Sequence, residues 1–418
     1  MHWFTVIFLI ALALTLGLKV WLARRQIRHV REHRERVPEP FDTRVPLDEH
    51  RKAADYTMAA TRVGIVSAIV SAALLLFWTL GGGIALLDGW WAESRFGPLL
   101  VGVAVMLSVY FVSMLVSLPL DVYQTFGIET RFGFNRTTPG LFVADQIKGI
   151  VIGLLIGVPL LVTILYLMSA AGTLWWFYAW LVWVGFTLLI TWAYPRIIAP
   201  LFNKFSPLDD STLKGRIEGL LERCGFRSSG VFVMDGSKRS SHANAYFTGV
   251  GNNKRIVFFD TLLDSLDHAE IEATLAHELG HFRRKHVRKR LIFSFVFSLA
   301  GLALLGWLAQ QDWFYEALGV TTQSNHGALL LFLLVIPVFT FVFSPLLAYM
   351  SRRHEFEADE YAADQSDASA LISALVKLYR DNARTLTPDP LHSDFYDSHP
   401  PPPVRVANLA RLAAAKSG

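Results

Sequence analysis

Residues 275–286 read LAHELGHFRRKH, and after the four residues VRKR the chain continues at 291–309 as LIFSFVFSLAGLALLGWLA. The first stretch sets two histidines four residues apart, with a glutamate beside the first. The second is long enough as a helix to cross nearly all of a ~30 Å hydrocarbon core. A motif of metal-ligating residue types therefore stands directly before a membrane-crossing segment.

Such segments recur. Apolar runs at about 3–22, 63–88, 98–120, 149–170, 174–195, 291–309 and 327–349 make seven candidate spans. A hydrophobic content of 53% over 418 residues and a mean hydropathy of +0.37 are too apolar for an ordinary water-soluble chain. The first run opens on Met1-His2-Trp3, with no basic segment before it and no small-residue cleavage site after it, so we read it as a retained span.

Charge sets the expected orientation. Arg24, Arg25, Arg28, Arg31, Arg34 and Arg36 crowd the segment after the first run, which places that segment in the cytoplasm and the N-terminus outside. The other connections alternate accordingly. DGWWAESRF (88–96), AAGT (170–173) and QQDWFYEALGVTTQSNH (310–326) hold only Arg95, whereas the intervening loops hold Arg131, Arg136, Lys148 and the basic FRRKHVRKR (282–290). The net charge of +4 restates this arginine bias, so no nucleic-acid partner is read from it. Cys224 is the only cysteine, which excludes an internal disulfide and a thiolate metal cluster.

The expected organisation is spans one to five with their loops over 1–196, a cytoplasmic piece over 197–290, a membrane hairpin over 291–349, and a second cytoplasmic piece over 350–418. The fold class is thus a polytopic α-helical membrane protein, seven transmembrane helices with a mainly helical cytoplasmic domain that contains a small β-sheet and is split around the last two spans. STLKGRIEGLLERCGF (211–226) has a helical apolar face at Leu213, Ile217, Leu220 and Leu221. GVFVMDGS (230–237) and NAYFTGVGNNKRIVFFD (244–260) read as the strands of a small sheet, with GNN at 251–253 as a hairpin turn. The motif helix, HAEIEATLAHELGHFRRKHV (268–287), has Asp264 and Asp267 near its start and a basic cluster at its end, as the helix dipole prefers.

On a helix, positions i and i+4 share a face, so His277 and His281 can present two imidazoles to one zinc while Glu278 serves as base for a zinc-activated water. Gly280 between them leaves room for another backbone. A catalytic zinc needs a third protein ligand and one open position. SRRHEFEADEYA (351–362), after the last span, offers Glu355 and Asp359 four residues apart, one to bind metal and the other to orient a histidine. Spacing alone does not separate Glu355 from Glu357. Glu357 and Glu360 read as solvated, Cys224 as a small core side chain, and His242, His268, His286, His354 and His392 as surface or packing residues.

HELGH, a membrane hairpin and then SRRHEFEAD resembles the zinc-dependent CAAX prenyl protease 1 family, a group of integral-membrane gluzincins. YQTFGIETRFGFN (123–135), HANAYFTG (242–249), NNKRIVFFDTLL (252–263) and HPPPPVR (399–405) extend the resemblance over nearly the whole chain. The resemblance implies one zinc held by His277, His281 and Glu355, Glu278 as catalytic base, and Asp359 behind a ligand. It also implies His399 and Arg405 in contact with transition state or substrate, Asn244 at the substrate backbone, and a chamber among the seven helices. The chain departs from the pattern in having four prolines after His399, although the spacing to Arg405 is kept.

The expected function is therefore a zinc metalloendopeptidase cutting membrane-associated peptides or proteins, isoprenylated ones among them, at the inner face of the lipid bilayer. No retrieval signal closes the chain, which directs the expectation to a bacterial inner membrane. Two alternatives stay open: quality control of membrane proteins without a prenyl requirement, and a non-proteolytic scaffold on a zinc fold. A transporter is disfavoured because few ionisable residues interrupt the spans, Lys19 being one. Either KRIVFFD or NAYFTG could align an extended peptide by strand addition.

Overall fold

The computed structural model describes residues 2–250 and 253–417. Seven of its helices are long and apolar enough to cross a membrane: Trp3–Glu32, Leu47–Trp78, Pro98–Glu129, Pro139–Ala170, Gly172–Phe202, His286–Leu308 and Asn325–Gln365. Large apolar side chains such as Leu155, Val296 and Leu115 face outward from them, as a lipid solvent allows and water would not. Several helices outrun the bilayer. The second begins at Leu47, well before its apolar run, because hydropathy marks only the stretch that lipid touches while the helix continues into polar sequence.

One span boundary is corrected. The run at 63–88 was expected as a single span, but its helix ends at Trp78 and a separate short helix, Gly83–Ala92, follows. Three consecutive glycines break it. Gly82 adopts φ 76°, and a side chain at Gly83 would meet the Trp78 ring at 2.7 Å. The third span changes to π-helix over Tyr123–Glu129, and the last bends at Pro337 and passes through a 3-10 turn, Phe341–Phe343, before Ser344–Gln365. A cavity of about 310 Å³ lies among the first, second, third and seventh spans, with Leu12, Lys19, Trp78 and Ser113 on its walls.

Outside the spans, a four-stranded sheet has the order β1 (Phe205–Pro207), β2 (Ser228–Met234), β4 (Asn253–Phe259), β3 (Ala245–Val250). β2 and β4 run parallel; β3 and β4 are antiparallel, pairing Phe247 with Ile256 and Ala245 with Phe258. The short β1 had no alternating signal in the sequence. The turn expected at Gly251 and Asn252 lies outside the described residues. β4 is interior and β3 is an edge, so of the two segments considered for strand addition only NAYFTG has a free side.

The core beneath the sheet joins Leu213, Ile217, Leu220 and Leu221 of the helix Ser211–Arg223 to Ile256 and Phe258 of β4 and Ile271, Leu275 and Leu279 of the motif helix. Each such buried side chain contributes about 1.5–3 kcal/mol of transfer free energy. Cys224 is buried there as well. Phe41, from the connection between the first two spans, is fully buried in the same core and meets the Tyr379 ring edge-on at 6.3 Å. The membrane spans and the part outside them are further joined by Arg25 to Asp389 at 2.9 Å and Arg239 to Asp145 at 2.7 Å.

Candidate metal centre and active-site cavity

The motif helix, His268–Arg283, starts on a capping box: Asp267 accepts from the N–H of Glu270, and the Glu270 carboxylate accepts from the N–H of Asp267. Glu270 is buried and also accepts from Ser373 Oγ and Lys377 Nζ, both at 2.6 Å, which fixes this helix against the helix Ala368–Asp381. One left-handed residue, Lys285 at φ 58°, then turns the chain into the sixth span. The helix Ser344–Gln365 is the direct continuation of the seventh. Pairing of these two helices brings the predicted residues together.

His277 Nε2 lies 3.2 Å from His281 Nε2 and 3.5 Å from a Glu355 oxygen, and His281 Nε2 lies 3.3 Å from the other Glu355 oxygen. A tetrahedral zinc with nitrogen and oxygen ligands near 2.0–2.1 Å would space neighbouring donors by roughly 3.3 Å, so the three residues fit the group. Their tautomers fit too. Asp359 accepts from His277 Nδ1 at 2.8 Å, so in the neutral imidazole the Nε2 lone pair is directed to the shared point. Burial and the Arg405 charge push the His277 imidazole down, but the Asp359 and Glu355 acceptors outweigh them and raise it to about 9.

The geometry separates Glu355 from Glu357. Glu355 joins the two histidines, while the Glu357 carboxylate accepts from His286 Nε2 at 3.0 Å. Since a carboxylate only accepts, His286 carries its proton on Nε2 and its Nδ1 accepts from His281 Nδ1 at 3.0 Å. Thus His281, like His277, has its Nε2 free. Here the sequence reading is corrected: Glu357 is not merely solvated and His286 is not merely packing, for together they orient His281. His286 is buried and stacks on His354 at 4.1 Å. A histidine in the turn after HELGH was the available signal, since it lies only five residues beyond His281.

Arg405 is buried and its Nε and Nη2 both donate to Asp359, at 2.8 and 2.7 Å. The structure therefore sets Arg405 behind the His277–Asp359 pair, with Nη1 3.6 Å from Glu355. His399 is more open and donates from Nδ1 to Glu355 at 2.7 Å. Asn244 is exposed just before β3; its side-chain oxygen accepts from the N–H of Ala245 at 2.8 Å. Its carbonyl accepts from the N–H of Phe259 at 3.0 Å. A cavity of about 200 Å³ is lined by His277, Glu278, His399, Arg405 and Asn244. Among the described residues the Glu278 carboxylate has no hydrogen bond or ion pair, and it borders this cavity beside His277.

Known proteins match the chain throughout. Residues 26–204 match the family description "CAAX prenyl protease N-terminal, five membrane helices", and residues 207–413 match peptidase family M48. CAAX prenyl protease 1 of Saccharomyces cerevisiae is 37% identical over 327 residues, 73% of this chain and 71% of that protein. The human CAAX prenyl protease 1 homolog is 32% identical over 448 residues, 96% of this chain and 92% of its own length. The crystal structure of S. mikatae Ste24p superposes with a TM-score of 0.92 at 30% identity, covering 98% of this chain and 99% of that one.

Proposed function

The chain belongs to peptidase family M48 in its CAAX prenyl protease branch, an integral multi-pass membrane metallopeptidase, and from that premise we propose how it acts and on what. His277, His281 and Glu355 hold one zinc ion, and Glu278 is the catalytic base. The substrates are membrane-associated peptides or proteins, isoprenylated C-terminal sequences among them. The observation that carries this reading is the set of three donors at tetrahedral spacing beside an unpartnered Glu278 in one cavity.

When bound, the metal supplies a Lewis acid that acidifies water and polarises a peptide carbonyl. The protein does the rest. The Glu278 carboxylate accepts the proton of the attacking water and passes it to the departing amine. Asp359 keeps the proton of His277 on Nδ1, with Arg405 holding both Asp359 oxygens in place. His399, held through Nδ1 by Glu355, donates from Nε2 to the developing oxyanion in its doubly protonated, imidazolium form. Asn244 and the open side of β3 align the substrate backbone as an added strand, presenting a carbonyl without strict side-chain demands.

In this reading the metal centre faces the cytoplasm and the N-terminus lies outside, which the arginine-rich connections support. A site suspended between the sixth and seventh spans suits substrates tethered to the bilayer.

Mass spectrometry of a CAAX-ended peptide incubated with the detergent-purified protein tests the proposal, with and without a farnesyl group and with Glu278→Gln as blank. Chelator-sensitive cutting that requires the lipid supports the full reading. Equal cutting of both forms would remove the prenyl requirement, and equal turnover by the blank would remove Glu278 from the mechanism.

A further inference from the structure

Two arginines line the catalytic cavity, Arg405 and Arg384. Arg405 is neutralised by Asp359. Arg384 is not: among the described residues its half-buried guanidinium has no carboxylate partner and no hydrogen bond, only the Tyr379 ring, whose centroid is 5.9 Å away. An arginine at the wall of a peptidase cavity, with its planar fork unmatched, fits one chemical group best, a carboxylate.

We propose that Arg384 anchors the free C-terminal carboxylate of the bound peptide, which fixes how far from the substrate's end the chain is cut. This rests on the peptide-cleaving reading above. Arg384 also borders a second cavity of about 640 Å³, which shares Ala243, Asn244 and Asn382 with the first and extends to Tyr56 and Thr61 on the second span. The guanidinium thus stands where the two cavities meet, next to the residue proposed to align the substrate backbone. An extended peptide covers about 3.3–3.6 Å per residue, so a chain cut near its end brings a carboxylate within a few residues of the catalytic groups.

Charge balance supports the placement. The Glu278 carboxylate faces the same cavity and repels a nearby anion, so a chain-end carboxylate is better held at the Arg384 guanidinium than beside Glu278. Asp397, on the wall of the second cavity, accepts from Ser393 Oγ at 2.6 Å and forms no ion pair with Arg384. The backbone fixes the anchor. The helix Ala368–Asp381 closes with Ala383 at φ 44°, a left-handed conformation that residues bearing a Cβ rarely adopt, and the N–H of Arg384 donates to the Tyr379 carbonyl at 2.9 Å.

The test uses binding, so that it does not depend on turnover. Fluorescence anisotropy in detergent compares one CAAX-ended peptide as free acid, as C-terminal amide, and as an amide with aspartate in the last position. The hosts are Glu278→Gln and Glu278→Gln with Arg384→Gln. Glu278→Gln should bind the acid about tenfold or more tighter than the amide, and adding Arg384→Gln should bring that ratio below about twofold. Arg384→Lys should keep part of the preference. Binding of the amide confirms that each variant is folded. Equal binding of acid and amide by Glu278→Gln, or a preference that survives Arg384→Gln, overturns the proposal. Rescue by the aspartate side chain to the level of the free acid would overturn the C-terminal assignment and leave a carboxylate site. Cleavage by the unsubstituted protein, followed in parallel, judges the proteolytic reading separately.

Discussion

Gly280 and Ala358 touch backbone to backbone: a Cβ at Gly280 would stand 2.9 Å from both the Cα and the carbonyl oxygen of Ala358. Gly280 lies between the two histidines of the motif, and Ala358 lies between Glu355 and Asp359. The crossing of these two helices is therefore what sets the spacing of the three donors at the proposed metal centre. Since the obstructing atoms are main chain, they cannot swing aside. Gly280→Ala should cost about 1–3 kcal/mol and weaken metal retention, because the helices must separate. Thermal unfolding in detergent with metal analysis of the same sample checks this; unchanged metal content with unchanged stability would contradict the packing argument.

His286 should matter to the metal without touching it. Replacing it with alanine removes the acceptor that holds the His281 proton on Nδ1, and a loss of about 10–100-fold in metal affinity is expected. Chelator competition measures this. His354→Ala, which removes only the stacked ring, should cost less.

Metal affinity should rise with pH. Without metal the His277 imidazole is raised to about 9, so near pH 7 it is protonated and must lose that proton before its Nε2 can bind a cation. The affinity should climb by about one decade per pH unit up to about pH 9 and then level. A competition titration across this window that stays flat would contradict the assignment of His277.

The Arg405–Asp359 pair should be worth most when only one partner is removed. Both are buried, so Arg405→Gln strands the Asp359 carboxylate and should cost about 3–5 kcal/mol. Adding Asp359→Asn should recover part of that stability but no peptidase activity, because an amide leaves the His277 proton without a carboxylate acceptor. Melting and turnover measured on the single and double variants separate the two effects.

At the edge of the sheet, Asn244→Ala should reduce kcat/KM about tenfold, chiefly through KM. Turnover unchanged over a range of peptide concentrations would remove Asn244 from substrate binding.

Much of this architecture was legible. The seven spans follow from apolar runs alone, since lipid contact demands continuous hydrophobicity whatever the tertiary contacts. HELGH followed by SRRHEFEAD pointed to His277, His281 and Glu355, the three donors that the fold groups together and that we propose as metal ligands, because helical periodicity fixes which side chains share a face. What the sequence left open was long-range. Glu355 and Glu357 are both acids near the end of one span, and only the direction of His286 across from them assigns one to the metal group and the other to a histidine. Gly81, Gly82 and Gly83 are apolar by composition and so disguised a helix break inside a hydrophobic run. Phe41 gave no sign that it enters the peptidase core, because a single aromatic in a polar loop carries no period. Arg384 carries no sequence signal for a similar reason: that it lacks a carboxylate partner among the described residues is visible only once the cavity walls are assembled.

The most direct test of the central claim is zinc content and peptide cleavage measured on one preparation each of the unsubstituted protein, Glu278→Gln and Glu355→Gln. We predict about one zinc per chain in the first two, cleavage only by the first, and loss of both from Glu355→Gln. Cleavage by Glu278→Gln at the unsubstituted rate, or full zinc content in Glu355→Gln, would contradict the account.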